Sequence, residues 1–273
     1  MEMKGMMGGL YKISEWIMRL SVTNILWMIC SLPFMFLVFT HFIAIATGNV
    51  AEDQVADFMK QGFILAGIVA PFTLFPATAA MFGVARKWVM GEVDAPLLKT
   101  FFRNYKDSYL QSMIAGIIYV ILFAVMIVDF QVYGGELTQL QFVSYLFIAL
   151  LVLLGVSLFN FFSMVVHYHM KTFQLIKNAL LITIGRPLRS LSTAIMCGFV
   201  IYISLSSTKL MFLIPFFTGS IVAAIAFWNF YAIYQKLQMQ AEKAAEAEAE
   251  EARKEAEEIG LPLDNNQEQI GRK

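Results

Sequence analysis

The residues of this chain whose types invite chemistry are few. They are His41, His167 and His169, Cys30 and Cys197, and Asp129, the one carboxylate inside a long apolar run. His167 and His169, in HYHMK, suggest a metal pair. Residues two apart point to different sides of a helix, however, and do not chelate as an i, i+4 pair does. No third ligand is in view, so both are expected to be polar anchors at a membrane interface. His41 follows Pro33 inside an apolar run, where an ionisable side chain hints at function. A neutral imidazole bonded to a neighbouring helix is the expectation there, and Asp129 is expected at the outer interface. The two cysteines form no CxxC pair and are read as packing residues. There is no Walker-type phosphate loop, no GxGxxG, no HExxH and no GxSxG. No catalytic, cofactor-binding or metal-ligating residue is expected, and the chain is not expected to be an enzyme.

The elements that must position these side chains are set by composition. Of 273 residues, 59% are hydrophobic and 15% charged, with a mean hydropathy of +0.66. Soluble domains carry about 45–50% apolar and about 25% charged residues. A bilayer core of about 30 Å needs about 20 mostly apolar helical residues. Six runs qualify, at about 22–46, 62–85, 112–132, 142–166, 190–208 and 211–235, and only the third carries a charge, Asp129. The predicted fold is therefore all-α: a polytopic six-span membrane domain over 1–235, followed by a charged tail over 236–273. The alternation of a membrane barrel is absent, and no cleavable leader is visible before the first run.

Orientation follows from the cations. The spans place Lys4, Lys12, Arg19, Arg86, Lys87, Lys99, Arg103, Lys106, Lys171, Lys177, Arg186 and Arg189 on one side, and Lys60 and Lys209 on the other. The positive-inside rule makes the first side cytoplasmic, with both termini there. Net charge is +4 over 1–235 and −4 over 236–273. The basic part is the apolar part, so its cations serve topology and not nucleic acid.

No span has a charge at its middle, which argues against an ion-coupled carrier. Asn24, Asn160, Asn229, Ser157, Ser163 and Tyr202 either line a small polar cavity or join helices by hydrogen bonds. In LFPATAAMFGVARKW, Pro71 and Pro76 predict a kink, with Thr73 and Thr78 placed to bond freed carbonyls. Pro76, Ala77, Ala80 and Gly83 form a candidate packing patch that lets another helix approach closely, and Arg86, Lys87 and Trp88 mark the interface. The same stretch is also read as a hinge or cavity wall.

Three amphipathic segments are expected on the cytoplasmic face as interfacial helices. In the first, Leu10, Ile13, Ile17 and Leu20 oppose Lys12, Glu15 and Arg19. In the second, Asp94 caps a helix with Pro96 in its first turn, and Leu97, Phe101, Phe102, Tyr105 and Tyr109 oppose Lys99, Arg103 and Lys106. In the third, Phe173, Ile176, Leu180 and Ile184 share a face, Gly185 ends the helix and Pro187 begins the next. Lys99, Arg103 and Lys106 are a candidate docking face; attraction to anionic lipid is the other use of such cations. The tail QAEKAAEAEAEEARKEAEEIG favours a solvated helix that fades into a disordered LPLDNNQEQIGRK.

MGGLYKISEWIMRL, FPATAAMFGVARKW, GEVDAPLLKTFFRNYK and LIKNALLITIGRPLRSL together resemble the YesL family of bacterial integral membrane proteins, over most of residues 6–235. No catalytic residue comes with the likeness. Members are often encoded beside sugar uptake transporters of the ATP-binding-cassette type. The resemblance therefore implies an accessory or assembly partner of permease subunits of a carbohydrate transporter. A small-solute binding or facilitating protein with a cavity between spans is the rival reading.

Overall fold

A computed structural model describes residues 6–136 and 141–258. The stretch LPLDNNQEQIGRK and Lys4 lie outside the described residues. The secondary structure is helical: α1 (Met6–Cys30), α2 (Leu32–Ala46), α3 (Val55–Val69), α4 (Leu74–Val89), α5 (Leu97–Gln131), α6 (Gln141–Val165), α7 (Thr172–Gly185), α8 (Pro187–Leu205) and α9 (Gly219–Glu258), with π-helical turns at Val132–Glu136 and Ile214–Thr218. Two compact units are present, Met1–Phe230 and Tyr231–Lys273, against the 235/236 boundary drawn from composition. In the second unit Tyr231 stacks on Tyr234 at 5.9 Å, and the Ala/Glu stretch is helical with its described side chains exposed.

Among the described residues, α5, α6, α8 and α9 lie in segments long and apolar enough to cross a bilayer. The first two expected spans are not straight helices. Between α1 and α2 the axis turns by 83°, and between α3 and α4 by 60°; each bent pair counts as one span if six are to be made. The causes are local. Pro33, near the start of α2, cannot donate to the Ile29 carbonyl, and its ring crowds that carbonyl. Ser31 remains bonded to Trp27 through both its N–H and its hydroxyl. Pro71 does the same after Ala70, whereas Pro76 falls in the first turn of α4, where a missing N–H costs nothing. The Thr73 and Thr78 hydroxyls donate to the carbonyls of Val69 and Leu74. The Phe72 carbonyl, four residues before Pro76, accepts the Tyr109 hydroxyl at 3.2 Å.

α4 is the centre of the first unit. Between Phe75 and Ala85 every residue except Thr78 is buried. Phe162 of α6 packs between Phe75 and Phe82, at 5.4 and 5.5 Å. Trp27 of α1 donates to the Thr78 hydroxyl at 3.0 Å, and Trp16 meets Trp88 edge-on. α5 approaches at two glycines. A Cβ at Gly83 would stand 2.2 Å from Cγ of Asn104, and one at Gly116 would stand 2.9 Å from Cα of Pro71. Lipid offers no hydrophobic drive between helices, so close backbone approach of this kind supplies much of the attraction.

Three amphipathic expectations change. The second segment is not a separate interfacial helix: α5 runs unbroken for 35 residues, because nothing in TFFRNYKDSYLQSM breaks a helix. Asp94 does not cap it; Pro96 is the N-cap residue, and Asp94 lies 3.4 Å from Arg19. On α5, Phe101 is buried but Phe102 is exposed beside the cations. On α1 Arg19 is buried and pairs with half-buried Glu15, while Lys12 of the same predicted polar face is exposed, as are Leu10, Ile13 and Ile17. On α7 the buried stripe is Leu175, Ile176, Ala179 and Thr183; Phe173 and Ile184 face outward. α7 does end at Gly185, and α8 does begin at Pro187.

A basic cleft as the candidate functional site

The N-terminal half of α5, the C-terminal turn of α4 and the chain joining α6 to α7 enclose an open cleft of about 1100 Å³. Its cations come from all three: Arg86 and Lys87 from α4, Lys99 and Arg103 from α5, and Lys171 from the start of α7. Their common location follows from pairing. Gly83 seats Asn104, which fixes the register of α4 on α5 and sets Arg86 across from the first turns of α5. Arg86 Nη1 then donates to the Val166 carbonyl at 2.9 Å, and Gln111 Nε2 donates to the Met170 carbonyl at 2.8 Å. These two bonds hold the α6–α7 connection over the cleft, with His169 and Lys171 on its rim.

The cleft is positive. Lys87 pairs with Glu92, and Arg103 Nε lies 3.6 Å from Asp107, the carboxylate lining the cleft. Arg86, Lys99 and Lys171 have no carboxylate within ion-pair distance among the described residues. Arg86 Nε is buried without a hydrogen-bond partner. Close by, His167 is held below its ordinary pKa, first by burial and then by the Arg86 charge. Its ring lies edge-on to Tyr168, Phe227 and Phe230.

Of the residues singled out from sequence, Lys99, Arg103 and Lys106 are all exposed on α5, and the first two line the cleft while Lys106 does not. Pro76, Ala77, Ala80 and Gly83 are buried in α4. His167 and His169 separate, one into an aromatic cluster and one onto the cleft rim. His41 bonds the Leu37 carbonyl of its own helix at 2.9 Å and stacks on Phe58 of α3 at 4.7 Å. Among the described residues no three His, Cys, Asp or Glu side chains come together as a metal site.

Most of the polar residues named as cavity or glue bond within the bundle. Asn160 donates to Thr183 at 2.9 Å, Ser157 meets the Tyr119 hydroxyl at 3.1 Å, and Ser163 bonds the Phe159 carbonyl. Asn24 donates to the Ile214 carbonyl and accepts from the Ser220 N–H. Asn229 meets the Met196 sulfur at 3.7 Å, and Tyr202 is 69% exposed. Sequence reasoning missed Gln111 and the joint role of Arg86 and Lys171. Two cations separated by 85 positions carry no local signal that they share a cleft.

A family model described as "Protein of unknown function, DUF624" matches residues 20–130. The chain is 30% identical over 182 residues to "Uncharacterized protein YesV" of Bacillus subtilis (strain 168), covering 66% of this chain and 85% of that protein. It is 29% identical over 217 residues to "Uncharacterized protein YesL" of the same organism, covering 80% and 85%. To "Uncharacterized protein YteU", also from that organism, it is 25% identical over 238 residues, covering 87% and 90%. No solved structure matches.

Proposed function

Since the chain belongs to the YesL family, the DUF624 proteins, we propose that it is a non-catalytic protein of the bacterial plasma membrane that serves as an accessory or assembly partner of a carbohydrate uptake transporter of the ATP-binding-cassette type. The observation that carries the docking reading is the exposed row Lys99, Arg103 and Lys106 on α5. A 35-residue helix is about 52 Å long, against about 30 Å of hydrocarbon. Its charged N-terminal turns therefore project past the apolar stretch and present their cations to a partner. The sugar-transport part rests on the family's usual gene neighbourhood. The rival, a solute cavity between spans, is less favoured because Asn24, Asn160, Ser157 and Ser163 bond other helices or their own backbone.

Reversing Lys99, Arg103 and Lys106 to Glu is expected to abolish co-purification of permease subunits from the native host in mild detergent, at unchanged protein level and melting temperature. Undiminished capture would overturn docking through this face. Loss of sugar-dependent growth on Asn160→Leu, with capture intact, would favour the solute reading.

The proposed orientation has both termini cytoplasmic. Single cysteines at Asn49, Gly135 and Asn265, in a background lacking Cys30 and Cys197, separate its parts. An impermeant thiol reagent on intact cells is expected to label Asn49 and Gly135 and spare Asn265. Labelling at Asn265 would overturn the orientation. Protection at Asn49 with labelling at Gly135 would mean that the bent pairs dip into the membrane without crossing, since four or six spans leave the termini on the same side.

A further inference from the structure

The geometry points to the basic cleft as a binding site for a phosphate group carried by the headgroup of an anionic phospholipid. Three observations converge. Arg86, Lys99 and Lys171 enter the cleft from three separate elements, and none is neutralised by a carboxylate among the described residues. Guanidinium and ammonium groups converging on one space are the chemistry that recognises phosphate. The space, about 1100 Å³, accommodates a headgroup with its glycerol.

The third observation selects a lipid. Leu110 lines the cleft and is 65% exposed. From it an exposed apolar stripe continues along the same face of α5 through Ile114, Ile117, Ile121, Val125 and Val128. The spacing of three to four residues keeps these side chains on one line. An anion held between Lys171 and Lys99 would thus have its acyl chains laid along the apolar part of α5. A free phosphate uses the cations and leaves the stripe unused. Basic pockets between membrane helices on the cytoplasmic side take anionic headgroups in this way. Lys171 and Arg86 stand outside the docking row, so the site does not depend on the partner reading.

The test uses the full chain in a zwitterionic detergent, with short-chain phosphatidylglycerol, short-chain phosphatidylcholine and inorganic phosphate as probes. Phosphatidylglycerol is expected to raise the melting temperature in a saturable way at concentrations where the other two do not. Lys171→Gln and Lys99→Gln are each expected to weaken that apparent affinity about tenfold, the scale of one charge-assisted hydrogen bond. Lys106→Gln, outside the cleft, should leave it unchanged. Lys99 and Lys171 are both exposed, so these variants fold even if Arg86→Gln does not. Equal response to phosphatidylcholine, or equal weakening by Lys106→Gln, would overturn the site. A response to inorganic phosphate as strong as to phosphatidylglycerol would overturn the lipid assignment. Loss of lipid response in Lys171→Gln with permease capture retained would support the site and separate it from docking.

Discussion

Gly83→Leu lowers the melting temperature of the detergent-solubilised protein by roughly 4–10 °C, because overpacking a close-packed interior costs about 1–3 kcal/mol and a chain of this size loses a few degrees per kcal/mol. The reason is steric and local. Even the first added carbon would overlap Asn104, at 2.2 Å from Cγ and 2.7 Å from Cβ. Its Cβ lies on the helix itself and cannot rotate away. Ala80, fully buried three residues earlier on nearly the same face, predicts a similar loss for Ala80→Leu. A double-mutant cycle isolates the contact. Gly83→Ala is expected to destabilise on its own. Asn104→Ala costs little, since among the described residues the Asn104 amide donates to the Thr100 carbonyl of its own helix and to no other element. The double variant should recover at least half of the loss, a non-additivity expected only of residues in contact. Circular dichroism or a thiol-reactive melting assay reads all five variants. If Gly83→Leu and Ala80→Leu melt like the parent, α4 does not pack on α5 in this register.

The second large effect concerns Asn24, which is fully buried in α1. Its amide donates to the Ile214 carbonyl at 2.8 Å, and its oxygen accepts from the Ser220 N–H at 3.0 Å. The partner is the π-helical turn Ile214–Thr218 that leads into α9, where Pro215 and the wide turn disturb the regular α-helical ladder. One side chain thus ties two backbone groups of a distant segment to α1. Gly219 makes room for it, since a Cβ there would lie 2.7 Å from the Asn24 oxygen. Asn24→Leu keeps the volume and removes both bonds. Hydrogen bonds between membrane helices average well below 1 kcal/mol, but unpaired buried groups cost about 1–3 kcal/mol. The backbone partners are fixed in place and cannot seek new ones, so the second scale applies. The expected loss is about 1–3 kcal/mol, and trypsin sensitivity near 206–218 should rise with it. A parent-like melting temperature would show that the turn at 214–218 is held by its own backbone alone.

Both effects join residues far apart in the chain, and that marks the division between what could be read early and what could not. Composition and run length determine that this is an all-helical chain with several apolar helices, because a bilayer demands continuous apolar length and internally satisfied backbone. Family membership was likewise legible, carried by segments such as FPATAAMFGVARKW and GEVDAPLLKTFFRNYK. Helix ends that depend on a single residue were also readable: Gly185 stops α7 and Pro187 starts α8. The same local reasoning placed Pro71 at a kink, but it gave no angle, since a proline breaks a bond and leaves the neighbours to decide how far the axis turns.

Tertiary structure decided the rest. Whether Asp94 caps α5 or meets Arg19 depends on where α1 lies, and α1 is set by Trp27 and Asn24 meeting α4 and the turn before α9. Which face of α7 is buried depends on Asn160 reaching Thr183, and a 3.6-residue period offers several candidate faces to an apolar helix. On α1 the period separates Lys12, Glu15 and Arg19 from Leu10, Ile13 and Ile17, but only packing decides that Arg19 is enclosed beside Glu15 while Lys12 stays exposed. The cleft is the clearest case. Lys99 and Arg103 announce a basic helix face by spacing alone, whereas Arg86 and Lys171 join them only when Gly83 lets α4 settle against Asn104 and the α6–α7 connection is pinned by Arg86 and Gln111. Charge and hydropathy are properties of the chain; the convergence of charges from three elements on one space is a property of packing.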